Sequence, residues 1–423
     1  NVSDGNHMGI SDCFIDEGVP YYRGQDAGAF FIENSNPICI NEKTFELPVM
    51  KRSHLKKGDV ILSIVGTIGS LSLVYSDKSA TCSCKLAILR PKAGKSAELL
   101  ATFLRGKYGQ AQITRFTRGA VQKGLILEDM DQLVVPTLGD GIVEAIKNAV
   151  QSAYQIQEKA NIHYREAQRT LMNTIGSILV PAESVSVRNI STSFYTTGRL
   201  DAEYYQPKYD ILFDELKKFS CKRLGGPNGI VNIKKSIEPG SEAYTEDGIP
   251  FVRVSDISKF GISEPDIKLR SDIIPNPEVL FPPKDTILLS KDGSVGVAYK
   301  VEATMPIITS GALLHLKVRD KTEVLPDYLT LVLNSPVVQL QAERDSNGAI
   351  IQHWKPSEIE NVIIPILDMD TQKEIAAKVQ ESFTLRKQSK QLLEYAKQAV
   401  EIAIEQGEGV ALKWLKDKLP VEV

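Results

Sequence analysis

The sequence predicts an α+β fold in which two β-rich modules are separated by an antiparallel pair of long helices that form a coiled coil. Three observations support this prediction. The chain repeats its own motifs in order, at an offset of 226 to 230 residues. Each copy consists of short apolar runs punctuated by glycine, aspartate and proline, which is typical of strands and turns. A long proline-free segment with helical apolar spacing follows each copy.

The repeat and the helical segments define five regions. β-rich modules are expected over residues 1–138 and 221–367. A long helix is expected over residues 139–178, and a second long helix together with a short closing helix is expected over residues 368–423. Residues 179–220 are expected to form a linker and a lead-in helix. Two copies of a long unit are not a solenoid, which needs several short repeats. Equivalent helices after equivalent modules predict a pseudo-twofold relation between the halves.

The motifs occur in the same order in both halves. Gly18–Arg23 (GVPYYR) corresponds to Gly248–Arg253 (GIPFVR), and an aspartate follows each, Asp26 or Asp256. The later matches are Asp59–Leu62 with Asp285–Leu288, Gly66–Gly69 with Gly293–Gly296, Gly119–Val121 with Gly348–Ile350, and Val134–Pro136 with Ile363–Pro365. The two glycine-bounded loops are either tight turns between strands or turns that let the backbone approach a phosphate or a base edge.

The two helical segments carry the apolar spacing of helices that pack on other helices. The first set is Ile142, Ile146, Ala149, Ala153, Ile156, Ala160, His163, Ala167, Leu171 and Ile175; the second is Ile375, Val379, Ser382, Arg386, Ser389, Leu393, Ala396, Val400 and Ala403. Each helix would bury its apolar face most economically against the other. A helix of about 35 residues spans about 50 Å, so the pair would hold the modules apart as a strut. The polar middle of the second set suggests a surface that also meets a partner.

Composition sets broad limits on the function. The 423 residues are 42% hydrophobic and 24% charged, which is ordinary for globular proteins. No apolar run is long enough for a membrane span, and no signal peptide opens the chain. Five irregularly spaced cysteines indicate reduced thiols and a cytoplasmic protein, and Cys82 and Cys84 lack a second pair that would complete a metal site. A net charge of −3 argues only weakly against DNA binding, since local clusters such as Arg105, Lys107, Arg115, Arg118 and Lys123 decide that question.

Motifs for catalysis are absent from the sequence. The chain has no phosphate loop, no His-Glu-x-x-His motif and no Gly-x-Ser-x-Gly elbow. We therefore name no catalytic residue and no metal ligand, and expect binding rather than catalysis. His163 lies in the helical spacing, where a packed interface residue is expected rather than a ligand. His353-Trp354 is open to two interpretations, stacking on a base or burial of the tryptophan.

The duplicated motifs resemble those of a known family. Gly-Ile/Val-Pro-aromatic-x-Arg-x-x-Asp resembles the start of a target recognition domain, and Asp-x-Ile-Leu with Gly-x-x-Gly behind it is similar to the central signature. Arg199–Tyr205 resembles the segment that leads into such a domain. The whole chain resembles the specificity (S) subunit of a type I restriction–modification system. The resemblance implies two target recognition domains, each reading half of a split DNA sequence, with the helix pair setting the gap.

The resemblance also implies partners. Two methyltransferase subunits would dock on the chain, and restriction and motor subunits would join them. S-adenosylmethionine, ATP and Mg²⁺ would belong to those partners, so no cofactor is expected in this chain. Sequence reading on double-stranded DNA needs bidentate side chains, and phosphate contacts by lysine and arginine add affinity. The candidate DNA-binding residues are Arg23, Gln25, Thr67, Arg115, Arg118, Gln122 and Lys123 in the first module and Arg253, Ser255, Lys291, Ser294, Asn347, Gln352 and Lys355 in the second. Arg23 and Arg253 are equally open to a structural role.

Two other functions stay open. The segment before the second module, residues 199–220, has no counterpart before Gly18. A counterpart is expected to be missing through truncation, disorder or omission, or else the chain is the C-terminal specificity half of a fused restriction–methyltransferase enzyme. The near-neutral charge leaves room for a scaffold that pairs two proteins without DNA. Salt-dependent DNA binding would exclude the scaffold.

Overall fold

The computed structural model describes residues 1–32, 37–119, 123–176, 185–348 and 352–419. Its strands are β1 (Val2–Asp4), β2 (Phe14–Ile15), β3 (Val19–Tyr22), β4 (Cys39–Ile40), β5 (Val60–Ser63), β6 (Leu71–Leu73), β7 (Thr81–Cys82), β8 (Leu86–Leu89), β9 (Cys221–Arg223), β10 (Val231–Lys235), β11 (Tyr244–Thr245), β12 (Ile249–Val252), β13 (Ile257–Ser258), β14 (Gly261–Ile262), β15 (Lys268–Leu269), β16 (Ile287–Ser290), β17 (Ala298–Lys300), β18 (Ile308–Thr309), β19 (Leu313–Val318) and β20 (Ile363–Pro365).

The helices include two that are much longer than the rest. In chain order they are α1 (Glu42–Phe45), α2 (Ala97–Arg105), α3 (Lys107–Phe116), α4 (Leu127–Met130), α5 (Asp140–Ile175), α6 (Ile190–Thr197), α7 (Pro207–Leu216), α8 (Pro326–Leu333), α9 (Pro336–Asp345), α10 (Pro356–Glu360), α11 (Met369–Gln406) and α12 (Glu408–Lys418). Among the described residues, no helix is both long and apolar enough to cross a membrane.

The chain divides into two compact units. Unit 1 consists of residues 1–159 and 385–423, and unit 2 consists of residues 160–384. Unit 1 therefore takes the first half of α5 and the second half of α11, and unit 2 takes the remaining halves. Each unit contains its own sheets and its own hydrophobic core.

The central sheet of unit 1 is antiparallel, in the order β1-β8-β5-β6. Side chains of a strand alternate between the two faces of its sheet. Val60 and Leu62 accordingly pack in the core that includes α2, whereas Ile61 packs on the other face with Leu86 and Ile88. Because both faces are covered, every residue of β5 is buried, which explains why this strand reads as a continuous apolar run.

A second sheet of unit 1 has the order β2-β4-β3-β7. Its last pair, β3 with β7, is parallel and aligns Tyr21 with Thr81. β3 contains the middle of the first repeated motif, and Arg23 follows directly after its last residue. Gly18 directly precedes β3 and lies close to the backbone of β4. A side chain at this position would lie 2.5 Å from the Ile40 carbonyl oxygen, so the close approach requires glycine.

Unit 2 has sheets of the same strand order as unit 1. Its central sheet is β10-β19-β16-β17, and its second sheet is β11-β15-β12-β18 with a parallel β12–β18 pair. Two further antiparallel pairs, β13 with β14 and β20 with β9, complete the described strands of this unit. The core combines these strands with α8 and α9, where Tyr328, Leu331 and Val338 are buried.

The halves of the long helices pack antiparallel within each unit. In unit 1 the Ser389 hydroxyl donates to the Ala153 carbonyl oxygen at 2.8 Å, and in unit 2 the Ser382 hydroxyl donates to the Ala160 carbonyl oxygen at 2.7 Å. Both serines are buried. The polar middle of the second helical segment is therefore engaged inside the helix pair, and the interpretation that it is a partner surface is wrong for these two residues.

One position of the first helical segment differs from the prediction. Tyr164 is buried in the core of unit 2, whereas His163 is partly exposed and lies 3.8 Å from Glu166. An α-helix turns once every 3.6 residues, so a spacing counted in threes and fours drifts around the helix. The α+β class and the antiparallel long helices are confirmed; the pseudo-twofold relation and the strut stay predictions.

Candidate nucleic-acid interface

The turn after β5 connects two of the repeated motifs in unit 1. The Thr67 hydroxyl lies 3.1 Å from both the Gly24 carbonyl oxygen and the Ser63 hydroxyl. Gly66 and Gly69 have φ values of 84° and 87°, a backbone conformation that favours glycine. The glycines thus allow a tight turn, and Thr67 attaches that turn to the neighbouring Gly24–Asp26 segment.

A glutamine side chain hydrogen-bonds to the second glycine of this turn, and this glutamine is not among the residues predicted from the sequence. Gln110 donates from Nε2 to the Gly69 carbonyl oxygen at 3.1 Å, and Gln339 donates to the Gly296 carbonyl oxygen at 2.8 Å in unit 2. The signal was present in the sequence, because the two glutamines are separated by the repeat offset. A side chain at Gly69 would also lie 2.8 Å from Gln110 Oε1.

An aspartate closes the turn that contains each motif arginine. The Arg23 N–H donates to Asp26 Oδ2 at 2.7 Å, and the Arg253 N–H donates to Asp256 Oδ2 at 2.8 Å. The same carboxylate oxygens lie 3.4 Å and 3.7 Å from the arginine Nε atoms. The pairing supports a structural role for both arginines. Neighbouring Gln25 is exposed in the first turn.

The loop that follows α3 is closed at its base. Arg118 and Gly124 exchange two backbone hydrogen bonds, of 2.9 Å and 2.8 Å. Gly124 also forms a β-bridge with Val65, next to the Gly66–Gly69 turn. The base of the loop and the turn therefore lie side by side. Gln122 lies outside the described residues.

Most cations of the basic cluster in unit 1 are already engaged. The Arg105 guanidinium donates to the Leu71 carbonyl oxygen at 2.7 Å, Lys107 Nζ lies 2.5 Å from Glu405, and Arg118 lies 2.5 Å from buried Asp129. Arg115 on α3 and Lys123 in the loop are exposed, and neither forms an ion pair with another residue that the structure describes. These two cations remain available to an anionic ligand.

In unit 2 a loop of the same kind brings three candidates together. Asn347 and His353 exchange two backbone hydrogen bonds, of 3.0 Å and 2.7 Å. The Gly293 N–H donates to the Gln352 carbonyl oxygen at 2.9 Å, and the Trp354 N–H donates to the Lys291 carbonyl oxygen at 2.8 Å. Lys291, Asn347 and Gln352 therefore belong to one cluster, and the last two have exposed side chains.

Lys291 is paired with its neighbour in sequence. Its ammonium group contacts Asp292, whose other carboxylate oxygen lies 2.8 Å from His353 Nδ1. Burial alone would raise the pKa of Asp292, but the hydrogen bonds from Lys291 and His353 outweigh it and lower that pKa below its usual range. Asp292 stays ionised and neutralises Lys291, which reduces the value of Lys291 as a phosphate contact.

The structure decides between the two interpretations of His353-Trp354. Trp354 is 1% exposed and belongs to the core of unit 2, so it cannot stack on a base. The side chain of His353 is 61% exposed and faces Asp292. Only the histidine is accessible to a ligand.

The remaining candidates of unit 2 lie on exposed turns. Ser294 lies between Gly293 and Gly296, and Ser255 donates from its hydroxyl to Asp256 Oδ1 at 3.0 Å. Lys355 directly precedes α10, and its ammonium group lies 3.5 Å from Glu358. An exposed pair at this distance contributes little to stability, so Lys355 can exchange its partner readily.

The described residues offer no site for a metal ion. No group of three or more potential ligands was found among them. Cys82 is buried, and burial raises the pKa of its thiol, which disfavours the thiolate that metals bind.

Comparison with known proteins places the second loop cluster in a known domain. Residues 228–395 match the family described as Type I restriction modification DNA specificity domain. The chain contains a type I restriction–modification specificity domain. This domain runs from β10 into α11 and includes every candidate residue of unit 2. The resemblance inferred from the motifs is thereby confirmed over residues 228–395, whose family is described by its DNA specificity.

The chain is also similar to three solved structures. A type I restriction–modification S subunit from M. genitalium is 15% identical, with 100% of this chain and 94% of that chain covered and a TM-score of 0.35. The HsdS subunit from Thermoanaerobacter tengcongensis is 16% identical, with 96% and 94% covered and a TM-score of 0.31. A chain from a structure on assembly and conformational transition of the type I R-M system is 16% identical, with 98% and 94% covered and a TM-score of 0.31. No curated protein matches the chain.

Proposed function

We propose that this chain reads a bipartite DNA sequence and directs a type I restriction–modification complex to it. The observation that carries the proposal is the second loop cluster, which lies within the matched specificity domain. Its exposed amides, Asn347 and Gln352, are of the type that pairs bidentately with adenine in the major groove. Unit 1 supplies a loop cluster of the same construction.

Backbone hydrogen bonds at Asn347 and Gln352 support a role for these two residues in reading bases. The main chain of Gln352 is held by the Gly293 N–H, and that of Asn347 by two bonds to His353. A side chain on a fixed backbone loses less conformational freedom when it binds. The amide of Asn347 is already partly used, since Nδ2 donates to the Asp345 carbonyl oxygen at 3.1 Å. Gln352 is therefore the better candidate for base reading.

Phosphate contacts would come from cations that no carboxylate neutralises. Arg115 and Lys123 fit this role in unit 1. In unit 2 the candidate is Lys355, whose exposed ion pair with Glu358 at 3.5 Å can be exchanged for a phosphate. Such contacts give affinity and register without sequence preference. This division of labour assigns base reading to the amides and positioning to the cations.

The partners follow from the same proposal. Two methyltransferase subunits dock on the chain, restriction and motor subunits join them, and S-adenosylmethionine, ATP and Mg²⁺ belong to those subunits. The helix pair sets the gap between the two half-sites. The complex acts in the cytoplasm, where the DNA and the reduced thiols are found.

Methylation mapping tests the proposal. The chain is expressed with its methyltransferase, and methylated adenines are mapped by long-read sequencing. A split motif with methylated adenine in both halves is expected. Gln352→Ala should relax one half-site and leave the other half-site and the gap unchanged. Asn361→Ala, an exposed amide outside the cluster, is the matched control.

Other outcomes would support the competing functions. A continuous, one-sided motif would indicate the specificity half of a fused enzyme. An active methyltransferase that leaves no methylated motif would indicate a protein scaffold without DNA specificity.

A further inference from the structure

The lead-in motif, residues 199–205, lies against the C-terminal end of α9 in unit 2. The Arg199 guanidinium donates to both carboxylate oxygens of Asp201, at 2.8 Å and 2.5 Å. Its Nη1 atom donates to the Asp345 carbonyl oxygen at 3.4 Å. Asp345 is the last residue of α9, and the last carbonyl groups of a helix have no partner within it. The cation of Arg199 therefore lies where the helix end favours positive charge.

The ring of Tyr204 connects the motif to the same helix end. The Arg199 guanidinium lies 4.6 Å from the ring centroid, and the Arg344 guanidinium lies 5.0 Å from it. Arg344 also lies 4.5 Å from the ring of Phe213 in α7. Aromatic rings attract guanidinium groups at these distances, and the attraction is stronger where water is excluded. The side chains of Arg199 and Arg344 are only 21% and 20% exposed, so both contacts are largely shielded from water.

Both arginines are neutralised by carboxylates in this arrangement. Arg344 donates to the two carboxylate oxygens of Asp345 at 2.7 Å and 3.1 Å, and Arg199 is paired with the aspartate of its own motif. Lys208 of α7 lies 2.6 Å from Glu343, so three consecutive residues of α9 are contacted. Neutralised and largely buried cations are poorly suited to contact phosphates, which need accessible charge. The contacts therefore act on the position of α9.

The end of α9 leads directly to Asn347 of the second loop cluster. The Asp345 carbonyl oxygen that accepts from Arg199 also accepts from Asn347 Nδ2, at 3.1 Å. Between them, the Ser346 N–H donates to the Ala342 carbonyl oxygen at 2.8 Å. The Asn347 amide keeps a second Nδ2 hydrogen and Oδ1, the donor and acceptor that a bidentate contact with adenine uses. The Asp345 carbonyl group therefore sets the direction in which this pair points.

We propose that Arg199 is a positioning residue for base reading by Asn347. Together with Tyr204 it holds the C-terminal end of α9, and the Asp345 carbonyl group passes this position on to the Asn347 amide. This role rests on the proposed function, and it adds a residue outside the loop cluster to those that decide one half-site. Supporting contacts of this kind matter because an amide that can rotate discriminates less between bases.

Hydrogen–deuterium exchange of the full chain tests the contact in the absence of DNA. Arg199→Gln removes the guanidinium group, and Tyr204→Leu removes the ring. Each variant should accelerate exchange of the Ser346 and Asn347 backbone amides about tenfold, because each removes one contact of a largely buried cation. Mass spectrometry of peptides that contain residues 346 and 347 measures the exchange.

Two controls separate positioning from folding. Tyr204→Phe keeps the ring and should exchange like the parent chain. Arg188→Gln removes an arginine whose ion pair is with Asp210 of α7, and it should also leave exchange at residues 346 and 347 unchanged. Circular dichroism compares the folding of all variants. Arg199→Gln and Tyr204→Leu remove different groups, so either variant is sufficient if the other does not fold.

Methylation mapping with the methyltransferase tests the consequence for DNA recognition. Asn347→Ala should relax one base pair of one half-site. Arg199→Gln should lower discrimination at the same base pair about tenfold, and should leave the other half-site and the gap unchanged. The salt dependence of DNA binding should stay the same in Arg199→Gln, because a positioning residue releases no counterions from DNA.

Three results would overturn the role of Arg199. Unchanged exchange in Arg199→Gln, with a relaxed half-site in Asn347→Ala, would exclude positioning and leave the proposed function intact. An unchanged half-site in Asn347→Ala would exclude base reading by Asn347, whatever the exchange shows. A decrease of about 1 in the slope of log K against log salt for Arg199→Gln would mean that Arg199 contacts a phosphate instead.

Discussion

The hydroxyl of Ser389 donates to the carbonyl oxygen of Ala153 inside the helix pair of unit 1, at 2.8 Å. A buried serine of this kind lets two helices approach closely and fixes their register. Ser382 makes the equivalent contact with Ala160 in unit 2. The register of the long helices therefore rests on specific polar contacts as well as on apolar packing.

Loss of either buried serine hydroxyl should destabilise the chain. Ser389→Ala and Ser382→Ala are each expected to lower the free energy of unfolding by about 1 kcal/mol, the usual net contribution of one hydrogen bond. Urea denaturation measures the change. Ser357→Ala, at an exposed serine of α10, should leave the unfolding midpoint unchanged. If Ser389→Ala and Ser382→Ala unfold at the same urea concentration as Ser357→Ala, the hydrogen bonds of the two buried serines do not stabilise the chain.

The helix pair should set the distance between half-sites. Removing seven residues from 142–175, with their counterparts in 375–403, shortens each helix by about 10 Å. This length corresponds to about three base pairs. Methylation mapping should show a shorter gap with both half-sites unchanged. An altered half-site at an unchanged gap would contradict the strut.

The two exposed cations of unit 1 should act through phosphates. Arg115→Ala and Lys123→Ala are each expected to weaken DNA binding on all sequences, and to lower the dependence of log K on log salt by about 1. Binding titrations at several salt concentrations measure this slope. Lys107→Ala is the control, because Glu405 already neutralises Lys107. A change in the recognised sequence would assign Arg115 or Lys123 to base reading instead.

The pairing of Asp292 should make the second loop cluster sensitive to acid. The pKa of Asp292 is lower in the folded chain than in the unfolded one, so its stabilising effect is complete above the unfolded pKa and is lost as the pH falls through the folded pKa. Asp292→Asn should therefore be less stable than the parent chain at neutral pH, with a difference that shrinks below about pH 4. Thermal unfolding across this range measures the difference. A constant difference at every pH would exclude titration of Asp292 as its cause.

The glycines of the first turn should tolerate substitution unequally. Gly66→Ala costs about 1–2 kcal/mol because its backbone is left-handed. Gly69→Ala should cost more, since its side chain would also lie 2.8 Å from Gln110 Oε1. Urea denaturation of both variants ranks them. Gln110→Ala in the Gly69→Ala background removes that contact, and it separates backbone strain from crowding.

The fold was predictable because its signals are written directly into the sequence. Buried β5 reads as a continuous apolar run, and the long helices show their spacing over many turns. Side-chain pairing was harder to predict. Lys291 and Asp292 are neighbours in the chain, yet only the loop geometry brings His353 to the same carboxylate. The exposure of His163 also escaped prediction, because helical spacing drifts by a fraction of a residue each turn.

For the candidate site, the sequence predicted which positions lie near the repeated motifs but not how their side chains pair. The positions of Thr67, Asn347 and Gln352 next to closed loops could be anticipated from the repeat. The engagement of Arg118 by Asp129 could not, because that pairing depends on how α4 packs behind the loop. Trp354 shows the same limit, since its burial is decided by the core of unit 2 and not by its neighbours in sequence.

The backbone pairing between Arg118 and Gly124, matched by that between Asn347 and His353, has an evolutionary consequence. Each loop is tied to itself at its base, so a substitution between the tied ends need not alter the helices that flank it, α3 and α4 in unit 1 and α9 and α10 in unit 2. The closed base therefore separates each loop from the rest of its unit. Such loops can therefore vary in sequence at little cost to the folding of the units that carry them.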